Sequence, residues 1–212
     1  VDDYAQAAQM LRPVAHQLSA LEINLSCPNT KSATDSSARH AIFAHEPQLV
    51  EEIVKASIID GVPAWAKLSP NTHLVIEGAR AAQRGGAQAV TLINTALGMS
   101  MNPTTGLPSL GNGGGGLSGR SVHPIAVRAI YEVAANVPGL PIVGAGGVTS
   151  GWEAIELMLA GASAVQVGTA SFAEPRAMSR IQREMNAWAK RNDVNAWSEI
   201  VGLAHRGGIS AL

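Results

Sequence analysis

The sequence predicts an α/β protein of the (β/α)8 TIM-barrel family, with this chain supplying about five C-terminal βα units of an incomplete barrel. Short apolar runs alternate with segments of helical periodicity, which is typical of parallel strands joined by helices. The runs are almost continuously apolar, as strands covered on both faces are. A polar or glycine-rich cluster follows each run, as the ring of loops above a barrel requires. We therefore favour a barrel over a doubly wound sheet.

The elements follow the order helix, then strand and helix five times. A first helix is predicted over 3–19, where Asp2 or Asp3 can cap an apolar periodicity. The strands are predicted at 21–26, 63–69, 89–94, 141–145 and 164–168, and the helices that follow them at 47–60, 72–84, 124–136, 151–160 and 174–191. Ser150 and Glu153 have the spacing of a capping box. The stretches 30–45 and 96–120 are predicted to be loops.

Composition describes one globular domain over 1–212, with 46% hydrophobic residues and a formal net charge of -1. There is no basic excess that would indicate a nucleic-acid partner. A membrane-spanning helix needs about 18 consecutive apolar residues, and every apolar run in this sequence is much shorter. A single cysteine cannot form an internal disulfide, which fits a cytoplasmic location.

The only cysteine, Cys27, lies where the first predicted strand breaks into a turn. The carboxyl end of a parallel strand is where α/β proteins place their chemistry. Free cysteine is also among the most buried residue types, so a packing role is the alternative. Asn24 and Asn29 flank the thiol and favour a functional role, because their amides can hold a polar ring.

Polar residues also mark the next two strands. Lys67 lies in an apolar run, where a lysine is costly unless it is paired or close to a polar ligand. Three interpretations stay open: a strand-end lysine whose charged end extends to solvent, a cation beside an electron-rich cofactor, and a Schiff-base nucleophile. Asn94 and Thr95 end the third strand with an amide and a hydroxyl group.

Three glycine clusters lie at 115–119, 144–147 and 168–169. Glycine lets backbone N–H groups approach a phosphate, and barrels often bind phosphate in their last loops. Neither the dinucleotide fingerprint nor the P-loop motif is present, so the clusters favour a mononucleotide phosphate. The histidines show no metal-ligand spacing and are interpreted as solvent-facing or capping residues, and we predict no metal site.

Taken together, six segments resemble class 1 dihydroorotate dehydrogenases, and their forms are most similar to the 1B subclass. The segments occur in that family's order over roughly residues 1–180, at 24–29, 67–71, 93–99, 115–119, 146–147 and 167–169. The resemblance implies an FMN-binding barrel that oxidises (S)-dihydroorotate to orotate in pyrimidine (UMP) biosynthesis. It also implies a partner subunit that carries FAD and an iron–sulfur cluster and uses NAD, in a homodimer or heterotetramer.

The same resemblance assigns roles to individual residues. Cys27 matches the catalytic base, which removes a proton from carbon 5 of the substrate while a hydride leaves carbon 6 for the flavin. The positions that match substrate contacts are Asn24, Asn29, Asn94 and Thr95. The positions that match contacts with the flavin ring, ribityl chain or phosphate are Asn24, Lys67, Ile93, Gly119, Gly146, Gly147, Gly168 and Thr169.

The sequence departs from the family in two respects. The match begins near the family's fourth barrel strand, so about three strands are absent, with a lysine and an Asn-rich segment that contact flavin and substrate. We therefore expect a longer native protein, and expect a 212-residue piece with open sheet edges to be unstable or inactive. The loop 30–45 also lacks the family's glycine-rich, Phe-Gly pattern.

Three alternatives stay open. A dihydropyrimidine dehydrogenase-type module uses the same flavin barrel on uracil or thymine. An aldolase-type lyase would bind a phosphate and use Lys67 as a Schiff-base nucleophile. A non-catalytic relative would serve only as an interaction module.

Overall fold

A computed structural model describes residues 1–26 and 43–211. Within them, five parallel strands form one sheet in the order β1-β2-β3-β6-β7. These strands are β1 (Leu21–Asn24), β2 (Ala64–Lys67), β3 (Ala89–Leu92), β6 (Ile142–Ala145) and β7 (Ala164–Gln166). All five predicted strands are present, each shorter than predicted. Their sequential order is that of a barrel wall, since a doubly wound sheet reverses its strand order at a switch point.

The sheet is strongly curved. Gln166 Nε2 on β7 donates a hydrogen bond of 2.8 Å to Glu22 Oε2 on β1, although three strands separate them. In a flat sheet, four steps of about 4.8 Å would hold these strands about 19 Å apart. The side chains of the first and last strands therefore meet across a concave face, as they do inside a barrel.

The helices cover the outer face of the sheet. They are α1 (Asp2–Leu11), α2 (Pro47–Ala56), α3 (Val75–Arg84), α4 (His123–Asn136), α5 (Gly151–Ala160), α6 (Ala170–Ala173) and α7 (Ala177–Arg191). The predicted bounds of α5 and the first half of its capping box are confirmed, because the Ser150 hydroxyl accepts from the Glu153 N–H at the start of the helix. Gly161, at φ 134°, follows its last residue. The other half of the capping box differs, because the Glu153 carboxylate accepts from the N–H of Thr149 instead of Ser150.

The first helix is shorter than the predicted 3–19. The α-helix ends at Leu11 and the chain continues as a 3-10 helix over Arg12–Gln17, because Pro13 has no N–H to continue the α-helical bonds. No side chain caps α1, so the prediction of an aspartate cap is wrong. Asp2 and Asp3 lie inside its first turn, where their charges favour the positive end of the helix dipole.

The core lies between the sheet and the helices. Val50, Val90, Ile130 and Leu157 come from four different elements and are all fully buried. Burying a side chain of this size contributes about 1.5–3 kcal/mol, so the core fixes the helices against the strands. Within the described residues, no helix combines the length and apolar character that a membrane span requires.

The prediction of a plain loop over 96–120 is wrong. The strands β4 (Ala96–Met99) and β5 (Gly114–Leu117) pair there as an antiparallel ribbon outside the main sheet. A glycine run has low strand propensity, so the sequence indicated a loop. The strand forms because the glycines allow close packing: a Cβ at Gly116 would overlap the Thr95 side chain, and one at Gly115 would lie 2.9 Å from Leu110.

Candidate active site

A cavity of about 800 Å³ opens at the carboxyl ends of the parallel strands. This volume lies within the range of about 300–1,000 Å³ typical of small-molecule sites. Its walls come from the end of β2, from the residues that follow β3, β5, β6 and β7, and from one face of α7. The predicted site residues that line it are Lys67, Ile93, Asn94, Thr95, Gly119, Gly146, Gly147, Gly168 and Thr169. Cys27 and Asn29 lie outside the described residues.

One end of the cavity carries a charged network centred on Glu22. Lys67 Nζ forms an ion pair of 3.2 Å with Glu22 Oε1. Glu22 Oε2 accepts hydrogen bonds from Thr91 Oγ1 at 2.7 Å and from Gln166 Nε2 at 2.8 Å. Burial alone would raise the pKa of Glu22, but the bonds from Thr91 and Gln166 and the charge of Lys67 outweigh it and lower that pKa. The network therefore holds an ionised carboxylate beside the only cation that lines the described cavity.

Asn94 joins the carboxyl end of β3 to that of β1. Its Nδ2 donates to Ser26 Oγ at 2.8 Å, to the Ser26 carbonyl at 3.1 Å and to Asn24 Oδ1 at 3.1 Å. Its Oδ1 accepts from the Thr95 N–H at 2.8 Å, which fixes the plane of the amide. Asn24 does not itself line the cavity but reaches it through this contact. Two of the predicted amides are thus adjacent, next to the residue that precedes Cys27.

The glycine clusters form another part of the cavity wall. Gly119, Gly146 and Gly147 have φ angles of 83°, 136° and 69°, which L side chains rarely adopt. A Cβ on Gly147 would lie 2.7 Å from His123 Cβ and 3.0 Å from the Gly119 carbonyl, so two clusters that are distant in sequence pack against each other. Without side chains, this wall presents backbone to the cavity.

Glu153 holds this glycine wall together from behind. Its Oε2 accepts from the Thr149 N–H and from Thr149 Oγ1, both at 2.7 Å, and from Ser150 Oγ at 3.1 Å. Its Oε1 pairs with Arg120 Nε at 2.8 Å. Burial would raise the pKa of Glu153, but the hydrogen bonds and the Arg120 charge lower it. The carboxylate thus connects the loop after β6 to the residue that follows Gly119.

His123 is not solvent-facing, and the interpretation of all six histidines as exposed or capping residues is wrong at this position. Its side chain is buried, Nδ1 donates to the Gly146 carbonyl at 2.9 Å, and Nε2 lies 3.1 Å from Glu156 Oε2. The ring fixes the orientation of the Gly146 peptide in the glycine wall. The described residues contain no cluster of three or more His, Cys, Asp or Glu side chains arranged to hold a metal ion.

The residues that sequence reasoning missed are the partners of those it found. Glu22 and Gln166 are polar side chains within apolar strands, where an unpaired polar group is as costly as it is at Lys67, so both carry the same signal. Arg120 and His123 gave no such signal, because they lie in an irregular stretch and at a helix start.

The fold and the site define the general class: a protein with a curved parallel sheet and a cavity at the carboxyl ends of its strands, the position of the active site in (β/α)8 barrels. The crystal structure of a DHODH from Eimeria tenella in complex with ferulenol is similar in fold, with a TM-score of 0.75 over 96% of this chain and 58% of that chain, at 18% identity. The family model described as dihydroorotate dehydrogenase matches residues 1–188. The chain belongs to the dihydroorotate dehydrogenase family.

Curated relatives give the same family. The dihydroorotate dehydrogenase B (NAD(+)) catalytic subunit of Geobacter metallireducens is 40% identical over 95% of this chain and 64% of its own length. The subunit of the same name from Bacillus pumilus is 41% identical over 87% of this chain and 57% of its own length. A protein named putative dihydroorotate dehydrogenase A (fumarate), from Solibacter usitatus, is 38% identical over 95% of this chain and 64% of its own length. The chain therefore spans less than two thirds of the length of these relatives.

Proposed function

We propose that the protein binds FMN and oxidises (S)-dihydroorotate to orotate in the cytoplasmic synthesis of UMP. The observation that carries this proposal is convergence: residues from five of the six segments that resemble the family line one cavity. The sixth segment, 24–29, reaches it through the contact between Asn24 and Asn94. Membership of the family supports the same activity.

The residues present fit a flavin mononucleotide. The glycine wall leaves backbone accessible where side chains would intrude, and a Cβ at Gly168 would meet no protein atom within 4 Å. In the proposal, Gly146, Gly147, Gly168 and Thr169 hold the phosphate and ribityl chain through backbone and hydroxyl groups. Lys67, Ile93 and Asn24 would contact the flavin ring, and Gly119 would complete the wall around the cofactor. When bound, FMN supplies the hydride acceptor of the reaction.

The substrate lies among the amides in this proposal. The Thr95 hydroxyl and the second lone pair of Asn94 Oδ1 match the amide groups of a pyrimidine ring, and Asn24 and Asn29 complete the set. The bonds from Asn94 to Ser26 fix its amide before substrate arrives, which reduces the entropy lost on binding. Cys27 removes the proton from carbon 5 of the substrate as the hydride leaves carbon 6.

The names of the relatives support a partner subunit. Two of those described above are named catalytic subunits of the B (NAD(+)) type. We propose that a second subunit with FAD and an iron–sulfur cluster passes electrons on to NAD, within a heterotetramer built on a homodimer of this chain. An assay of the purified complex with NAD or with fumarate as electron acceptor tests this. Turnover with fumarate alone would mean that a soluble oxidant, and not a partner subunit, accepts the electrons.

The ion pair of Lys67 argues against the lyase alternative. A Schiff-base nucleophile needs an amine that is free to attack a carbonyl, whereas Lys67 Nζ is engaged by the Glu22 carboxylate. Borohydride should therefore trap no carbonyl substrate on Lys67. Trapping there by a protein that binds no flavin would favour the lyase.

The deciding experiment is an anaerobic titration of the full-length protein followed by its visible spectrum. We expect a flavin band that bleaches when dihydroorotate is added, and that does not bleach in Cys27→Ser near neutral pH. Cys27 is the only cysteine of these 212 residues, so no other thiol of this part of the protein can substitute for it. A band that ignores dihydroorotate but responds to dihydrouracil would assign the dihydropyrimidine alternative. A colourless, folded protein would refute the flavoenzyme proposal.

A further inference from the structure

Glu22 is a residue that neither the sequence motifs nor the proposed mechanism uses. It lies on β1 and does not itself line the cavity, yet it accepts from side chains on β2, β3 and β7. Three strands thus direct a donor to one carboxylate. Such convergence is costly to arrange unless the carboxylate is ionised, because a protonated carboxyl would lose acceptor capacity toward these donors.

The arrangement fixes both the position and the charge of Lys67. The Glu22–Lys67 ion pair spans 3.2 Å, and Thr91 and Gln166 hold the carboxylate from its other oxygen. A lysine side chain has about 2 kcal/mol of rotamer entropy, so a lone Lys67 would sample many positions in a cavity of this size. The pair as a whole is neutral. A ligand beside it meets a dipole of known direction instead of an unbalanced cation.

We propose that Glu22 is a positioning residue that balances the charge of Lys67 and thereby lowers the reduction potential of the bound flavin. The inference rests on the proposed function. Reduction adds negative charge to the flavin, so an unbalanced cation nearby favours the reduced form and a balanced one favours it less. With Glu22 present, the reduced cofactor gives up its electrons more readily to the next acceptor.

The test is whether removing the negative and the positive charge shifts the flavin reduction potential in opposite directions. Glu22→Gln keeps the size of the side chain and removes the charge, and Lys67→Met removes the opposite charge. In the FMN-loaded holoenzyme we expect Glu22→Gln to raise the ratio of reduced to oxidised flavin at fixed ambient potential about tenfold, or about 30 mV for a two-electron couple. Lys67→Met should lower the ratio by a similar factor, and the double variant should lie near the wild type. Spectroelectrochemical titration measures all four proteins.

A matched control removes the same charge elsewhere. Glu51 pairs with Arg84 at 2.7 Å on the outer helices α2 and α3, with both side chains exposed, so Glu51→Gln should leave the potential unchanged. Rotation of Lys67 relative to the flavin would also change the flavin absorption bands in Glu22→Gln, and this gives a second readout that does not depend on turnover.

The outcomes distinguish failure of the proposed function from failure of the role assigned to Glu22. A wild-type protein that binds no FMN refutes the proposed function itself. A wild type that binds FMN, with Glu22→Gln and Lys67→Met shifting the potential in the same direction or not at all, overturns the role of Glu22 alone. If Glu22→Gln does not bind FMN, Lys67→Met is compared with the double variant, because the two differ only in the Glu22 carboxylate. The double variant must then have the higher reduction potential.

Discussion

Glu153→Gln offers a sharp test of how the glycine wall is held. The substitution keeps the shape of the side chain but replaces a carboxylate that accepts from the N–H and hydroxyl of Thr149 and from the Ser150 hydroxyl. A hydrogen bond to a charged group contributes about 1.5–3 kcal/mol and one to a neutral group about 0.5–1.5 kcal/mol. The Arg120 side chain is exposed, so its ion pair adds only about 0–1 kcal/mol. Allowing for non-additivity among bonds to one atom, we expect a loss of about 2–3 kcal/mol at pH 7.

The pH dependence of this loss follows from the lowered pKa of Glu153. A carboxylate whose folded-state pKa lies below its ordinary value of 4.5 stabilises the fold fully above pH 4.5. That contribution is lost as the pH falls through the lowered value, because both states then bind the proton. The difference between wild type and Glu153→Gln should therefore be constant from pH 7 to about 5 and decrease in more acid solution.

Urea unfolding at a fixed FMN concentration, followed by tryptophan fluorescence, measures the difference. Glu132→Gln is the matched control, because Glu132 forms an i,i+4 pair with the exposed Arg128 on α4 and should change stability by about 0.3–0.5 kcal/mol. A loss no larger than that of the control, or one that persists unchanged well below pH 4, would refute the role assigned to Glu153.

Two further substitutions address the cavity walls. Gly147→Ala should weaken FMN binding and destabilise the protein more than Gly139→Ala: both glycines have positive φ, but a Cβ at Gly139 meets nothing within 4 Å, whereas one at Gly147 meets His123 and Gly119. Equal effects in urea unfolding and FMN titration would mean that only backbone strain matters. Asn94→Asp places an anion against the Ser26 carbonyl and should weaken binding of the anionic product orotate at least tenfold by calorimetry, whereas Asn112→Asp on the outer ribbon should not.

The sequence predicted the repeating part of the fold because buried strands and helices leave periodic patterns. The end of a helix was predicted best where a residue has a local physical role, as Ser150 has at the start of α5. It was predicted worst where Pro13 changes the hydrogen-bond pattern within a continuous apolar periodicity. The β4–β5 ribbon was missed because its glycines are selected by tertiary crowding against Thr95 and Leu110, which no local propensity records.

A site residue could be predicted where its type is unusual for its position in the sequence. Lys67 in an apolar strand, and the glycines beside the strand ends, are unusual wherever they occur. The pairing of Lys67 with Glu22 depends on strand register, which aligns Asn24 with Lys67 and Lys67 with Thr91. The contact with Gln166 depends further on the curvature of the sheet, which no sequence pattern specifies.

The curvature has a kinetic consequence. Glu22 and Gln166 are 144 positions apart in the sequence, so the carboxylate gains its last donor only after every strand between them has been placed. Closing so long a loop is entropically expensive until intervening contacts compensate, and such contacts form late in folding. Loss of the Gln166 amide should therefore accelerate unfolding while leaving the refolding rate nearly unchanged. The charged end of the cavity would be the last part of the sheet to assemble and the first to open.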